Sequence, residues 1–153
     1  MILAGVLRSA VGGLVLFLSL TTFSAAVSAA EGSVRPEIPE SLAVAITIDS
    51  EHLIELYHSV PGLKLIDSRQ KGDFSQGHIE TSASLPLQNT SCNSLKKVAR
   101  DKDQALVFYC NGNVADASIG AIQVASSCGY KRLFWFRGGF VEWTDKDYPY
   151  LTE

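Results

Sequence analysis

From Ala43 onward the chain alternates short apolar runs with stretches whose apolar residues recur at helical spacing. Val44–Ile48 is a short β-type run. Asp49 is placed to cap a helix that begins near Ser50 and turns Leu53, Ile54, Leu56 and Tyr57 to one face. Pro61-Gly62 marks a turn, and Leu63–Ile66 reads as a second strand ending in the polar set Asp67-Ser68-Arg69. Ala83–Leu87 suits a third strand, Ser94–Arg100 a short helix, and Ala105–Tyr109 is the most strand-like run of all. Ala117–Ser127 places Ser118, Ala121, Ile122 and Ala125 on one helical face and stops at Gly129, a residue suited to a C-cap. Leu133–Phe136 gives a fifth strand and Phe140–Thr144 a last short helix. Strands separated by helices imply an α/β fold with a mostly parallel five-stranded sheet and helices on both faces. There is no internal repeat and no low-complexity segment.

The first thirty residues differ in kind. Arg8 is their only charged side chain, the apolar run Val11–Leu20 follows, and Ser24–Ala30 is built of small residues. That order is the one a secretory signal requires, with cleavage after Ala29 or after Ala30 both fitting. Residues 9–30 carry no charge, so an uncleaved anchor is the competing reading and a buried helix a third. The domain division expected is therefore 1–30 signal or anchor, 31–42 linker with Pro36 and Pro39, and 43–153 a single domain. A signal implies an exported protein, periplasmic in a bacterium, which meets a membrane only if the segment is retained.

Composition adds limits. The 153 residues are 46% hydrophobic and 19% charged, which fits a globular domain rather than a disordered chain. A net charge of −3 and the lack of any basic stretch argue against a nucleic-acid partner.

In a parallel α/β sheet, ligands sit beyond the C-terminal ends of the strands. Two polar groups fall there: Asp67 with Arg69, and Cys110-Asn111-Gly112-Asn113. Cys110 follows an apolar strand and precedes a Gly/Asn loop and a helix. A loop of that kind can aim backbone N–H groups at the sulfur, and the helix adds its positive dipole end. Both favour the thiolate, which is the nucleophile. The bland alternative is a small buried hydrophobe that closes a strand.

Across residues 44–151 the chain resembles the rhodanese family. Leu65-Ile-Asp-Ser-Arg69 is similar to its strand-end Asp-x-Arg signature, and Asp73-Phe74 with Gly77-His78-Ile79 to its Phe-x-x-Gly-His-Ile segment. Ala83–Pro86 matches the continuation, Val107–Gly112 the active-site strand and cysteine, and Gly129-Tyr130, Phe136–Gly139, Trp143 and Pro149 the C-terminal signature. The resemblance implies sulfane-sulfur transfer from a small donor, through a persulfide on Cys110, to a thiol or other thiophilic acceptor, with no cofactor and no metal. By position it makes Cys110 the nucleophile. The backbone of Asn111, Gly112, Asn113, Val114, Ala115 and Asp116 would cradle the anion. Arg69 and Asp67 would hold the loop, Arg69 with a possible substrate contact, and His78 and Trp143 would be structural.

The loop departs from the family where Ala115 replaces a second Cys and Ala117 an Arg, while Asp116 adds an acid. Weak activity with thiosulfate is expected, since an acid opposes both a thiolate and an anionic donor. A phosphatase of this fold needs an Arg where Asp116 stands, so that chemistry is excluded. The alternative function is a catalytically degenerate module that binds a partner protein or small anion. Cys92 and Cys128 could pair in an exported protein, but their spacing does not show that they approach.

Overall fold

The computed structural model describes residues 38–112 and 117–153. The signal or anchor reading of residues 1–30 and the start of the expected linker lie outside the described residues. Among the described residues, no helix is long and apolar enough to cross a membrane. Five strands, β1 (Ile46–Ile48), β2 (Lys64–Asp67), β3 (Ala83–Ser84), β4 (Leu106–Tyr109) and β5 (Leu133–Phe136), form one sheet in the order β1-β5-β4-β2-β3. Every pairing is parallel, so the expected sheet is found and is parallel throughout. Five helices accompany it: α1 (Ser50–Ser59), α2 (Lys71–Gln76), α3 (Cys92–Val98), α4 (Ala117–Ser127) and α5 (Gly139–Asp145).

The two-residue period of β4 sorts the core. Leu106 and Phe108 face a cluster that includes Leu95 of α3 and Ala121, Ile122 and Ala125 of α4. Val107 and Tyr109 face the opposite cluster, with Leu53 of α1 and Trp143 of α5. All four β4 residues are buried, as a strand covered on both faces must be. The helical face read from the sequence of α4 is the buried one, and Gly129 ends that helix region at φ +87°. Asp49 caps α1 by accepting from the His52 amide at 2.9 Å.

Three elements differ from the expected pattern. The third strand is only Ala83–Ser84, because the chain bends at Pro86 into a 3-10 turn at Leu87–Asn89. The third helix begins at Cys92, not Ser94, since Ser91 and Ser94 form a reciprocal capping box. Helix α2 was not anticipated, because its six residues bury only Phe74 and leave no periodic stripe to read. At the other end of the domain, residues 38–42 of the expected linker lie on the fold. Ile38 and Leu42 touch the α3–α4 side of the core, and Arg137 donates to the Pro39 carbonyl at 2.9 Å.

Cys92 and Cys128, whose pairing the sequence left open, form a disulfide with a Cα–Cα distance of 5.4 Å. It ties the first residue of α3 to the residue that follows α4.

Candidate active site

The strand register aligns the C-terminal ends of the sheet. Asp67 is level with Tyr109, Tyr109 with Phe136, and Phe136 with Ile48. The next residues, Ser68-Arg69, Cys110 and Arg137-Gly138, therefore emerge along one edge, where the sequence placed its candidates. Cys110 continues the alternation of β4 onto the α4 side, and it is buried.

Its sulfur is held by a short chain of hydrogen bonds. Trp135 Nε1 lies 3.0 Å from Ser118 Oγ, and Ser118 Oγ lies 3.2 Å from Cys110 Sγ. An indole nitrogen can only donate. Ser118 Oγ therefore accepts from Trp135, and its one proton is directed at the sulfur. Both Ser118 and Trp135 are buried, so this O–H acts where water does not compete. A hydroxyl so placed can donate to negative charge on Sγ. In the sequence Ser118 stands out only as a core position of α4, and Trp135 only as a strand residue. A period-two projection of β5 puts Trp135 on the face that α4 covers, which is the signal that could have linked them.

The backbone of the loop is clamped from the other side. Phe140 N donates to the Cys110 carbonyl at 2.8 Å. Gly139 has φ +58°, and a Cβ there would run into the Cys110 carbonyl and the Gly112 amide nitrogen. Gly112, at φ +89°, comes against the Gly138 carbonyl in the same way. The Gly-Gly pair thus does more than allow the turn into α5, because it lets two backbones touch beside Cys110.

Arg69 and Asp67 are bonded to each other, and Arg69 also to Gly77 and Asn111. Arg69 Nε lies 3.0 Å from Asp67 Oδ1, and Arg69 Nη2 is 2.6 Å from both Asp67 Oδ2 and the Gly77 carbonyl. Its guanidinium also stacks 4.2 Å from the Phe140 ring centroid and reaches Asn111 Oδ1 at 3.4 Å. Burial works against the Arg69 charge, but hydrogen bonding to Asp67 and the Asp67 charge hold its pKa above the ordinary value. Burial also pushes the Tyr109 phenol well up, and the Asp67 charge adds to it. His78 is buried and packed. It stacks on Phe74 at 3.8 Å, and its Nδ1 lies 3.0 Å from the Phe74 carbonyl.

Cys110 opens onto a cavity of about 230 Å³, with Ser68, Arg69, Asp73, Asn111 and Ala117 in its wall and Leu87, Gln70 and Gln88 completing it. Larger hollows lie over Asp49, His52 and Arg137 and over Lys96, Lys97 and Arg100, but neither reaches Cys110. Of the loop residues named from sequence, Cys110, Asn111 and Gly112 stand together at this site. Asn113, Val114, Ala115 and Asp116 lie outside the described residues. Among the described residues, no cluster of His, Cys, Asp and Glu is placed to hold a metal ion.

Comparison with known proteins agrees with this architecture. No curated protein matches the chain in sequence. A Bacillus halodurans protein of solved structure superposes with a TM-score of 0.63 at 19% identity, over 71% of this chain and 77% of that one. A thiosulfate sulfurtransferase from Pseudomonas aeruginosa gives 0.61 at 16% identity, over 71% of this chain but 20% of its own. A rhodanese with anions from E. coli gives 0.50 at 23% identity, over 60% of this chain and 99% of its own. At these identities the likeness is one of fold. The family model of the rhodanese-like domain matches residues 50–146, well over half of the sequence, and takes in every strand but β1 together with Cys110. The chain therefore belongs to the rhodanese-like domain family.

Proposed function

We propose that the protein moves sulfane sulfur through a persulfide on Cys110. The thiolate of Cys110 attacks the outer sulfur of a persulfide donor. The donor's S–S bond breaks, its thiolate leaves with the bonding pair, and a Cys110–S–S⁻ group remains. An acceptor thiolate then attacks that outer sulfur and Cys110 departs as thiolate, so the sequence involves no net oxidation. The observation that carries this reading is the Ser118 hydroxyl directed at Cys110 Sγ over 3.2 Å, with its lone pair already taken by Trp135. It supplies the sulfur with a stabilising donor in a domain whose loop sequence from Asn111 to Ala117 has no Lys or Arg.

Thiosulfate is expected to be a poor donor. The one guanidinium in the cavity wall is held by Asp67, and the loop sequence contributes the acid Asp116. We further propose that residues 1–30 direct export. The disulfide Cys92–Cys128 supports that reading, because such bonds persist in oxidising compartments.

Intact-mass measurement after exposure to cysteine persulfide, polysulfide or thiosulfate tests the chemistry. One added sulfur is expected on the wild type, more readily from the persulfide, and none on Cys110→Ser. If no donor adds sulfur, the alternative of a domain that binds a partner protein or small anion replaces this one. Ala117 at the family's arginine position is the observation in favour of that alternative.

A further inference from the structure

One residue in the wall of the Cys110 cavity, Ser68, carries a buried polar atom with no hydrogen-bond partner among the described residues. That atom is its Oγ, and the residue is 2% exposed. Its backbone is fully used, with the amide donating to the Tyr109 carbonyl at 2.9 Å. Buried hydroxyls are rarely left in this state, and an orphan that lines a cavity points to a group that arrives from outside. Ser68 follows β2 directly, so it is carried by the same rigid edge that carries Cys110.

Charge narrows what that group can be. Arg69 and Asp67 neutralise one another at 2.6 Å. Asp73, in the same wall, makes no ion pair among the described residues. Asp67, Arg69 and Asp73 therefore leave one negative charge facing the cavity. The neighbouring Gln70 and Gln88 are neutral and are spent on each other, with Gln88 Nε2 donating to Gln70 Oε1 at 2.8 Å. A cavity of about 230 Å³ is also smaller than those that take drug-sized ligands.

We propose that this cavity is a recognition site for a low-mass aminothiol or its persulfide, with Asp73 holding the ammonium group and the Ser68 hydroxyl bonding at the sulfur-bearing end. The proposal rests on Cys110 as the reacting sulfur and deepens that reading by naming the class of its small-molecule partner. An anion such as thiosulfate would meet the Asp73 charge and find no unengaged cation in the described wall.

Three symmetric disulfides of similar size test it: cystamine, which is cationic, bis(2-hydroxyethyl) disulfide, which is neutral, and dithiodipropionate, which is anionic. Each exchanges with the Cys110 thiolate, forming one mixed disulfide and releasing one thiolate, so the probe itself is the oxidant. Rates on the full folded chain are read as mass on the Cys110 peptide. Each is divided by the rate of a small reference thiol, which removes the intrinsic reactivity of the probe. The normalised order expected is cationic over neutral over anionic, with about 5-fold per step for one partly screened charge. Asp73→Asn should bring the three within about 2-fold. Ser68→Ala should slow all three by about 5-fold while Tm does not fall, because the hydroxyl it removes has no protein partner.

Equal normalised rates in the wild type overturn the proposal, and so does a charge order that survives Asp73→Asn. A Ser68→Ala variant that loses Tm and keeps its rates would make Ser68 a packing residue and overturn it equally. Failure of the sulfur-transfer reading looks different. If no donor ever adds sulfur to Cys110 but the charge order holds and depends on Asp73, transfer is lost and the recognition site stands. If sulfur adds readily without any charge order, transfer stands and the recognition site is lost.

Discussion

Replacing Ser118 with Ala removes one hydrogen bond to the sulfur and strands one donor. The first loss concerns charge on Cys110, because the Ser118 O–H is the hydroxyl that reaches Sγ, at 3.2 Å. A hydrogen bond to a charged group contributes about 1.5–3 kcal/mol, so wherever the thiol form predominates the thiolate fraction should fall by roughly 10- to 150-fold. The remaining thiolate becomes more nucleophilic as its charge is less stabilised, with a Brønsted coefficient of about 0.4–0.5, which returns about half of that loss on a logarithmic scale. The net expectation is a roughly 3- to 12-fold slower reaction with iodoacetamide at the low-pH end of the profile. Once the pH is high enough to ionise both proteins, the variant should be the faster of the two. The second loss concerns stability. Trp135 Nε1, 3.0 Å from Ser118 Oγ, would be left buried without an acceptor, at a cost of about 1–3 kcal/mol by urea titration. The assay is the second-order rate of Cys110 modification followed by mass from pH 6 to pH 10. A merely structural Ser118 would shift the whole profile in one direction. If the two profiles do not cross, the hydrogen bond does not control the charge on Cys110.

Three further outcomes are expected. Removing the disulfide as Cys92→Ser with Cys128→Ser should cost about 4 kcal/mol, from the loop-closure entropy of its 36-residue separation, and a reducing agent should lower the wild-type Tm in the same direction. Gly139→Ala should cost about 3 kcal/mol or more and slow Cys110 modification, because the new Cβ strikes the Cys110 carbonyl. Gly129→Ala, also at positive φ but in open space, should cost only about 1 kcal/mol and leave Cys110 unaffected. Ala117→Arg, which puts a cation in the wall of the cavity, should raise sulfur uptake from thiosulfate about 5-fold, and added salt should shrink the gain. An unchanged rate in that variant would mean that charge is not what limits the reaction with thiosulfate.

How far the sequence could be read depended on how local each signal was. The strands were legible as continuous apolar runs, since both faces of the sheet are covered, and α4 because Ser118, Ala121, Ile122 and Ala125 carry its buried stripe openly. The capping role of Asp49 was legible for the same reason, since a cap acts within three residues. Helix α2 was hidden because a six-residue helix with one buried side chain has no period. The disulfide was hidden because it depends on how α3 and α4 lie across the sheet, which two cysteines 36 residues apart do not encode. At the site, motif resemblance located Cys110, Arg69 and Asp67. The Trp135–Ser118–Cys110 chain spans 25 residues and three elements, and only the packing of α4 on β5 assembles it. Ser68 was passed over because what marks it is a missing partner, and an absence leaves no trace in the sequence.

The place of β4 in the sheet has a consequence for how the sulfur can move. With β5 on one side and β2 on the other, the strand that delivers Cys110 is anchored along both edges and covered on both faces. Its amides should exchange with deuterium only when the whole domain opens, so breathing of the surface offers the sulfur no route outward. The Cys110 carbonyl is pinned as well, by the Phe140 amide. Cys110 is thus the fixed point of the cavity, and accommodation falls to Gln70 and Gln88, whose exposed side chains are bonded to each other. A large acceptor such as a protein thiol would have to part that amide pair to reach the sulfur. Exchange slowed at Gln88 and unchanged at Phe108 would be its trace.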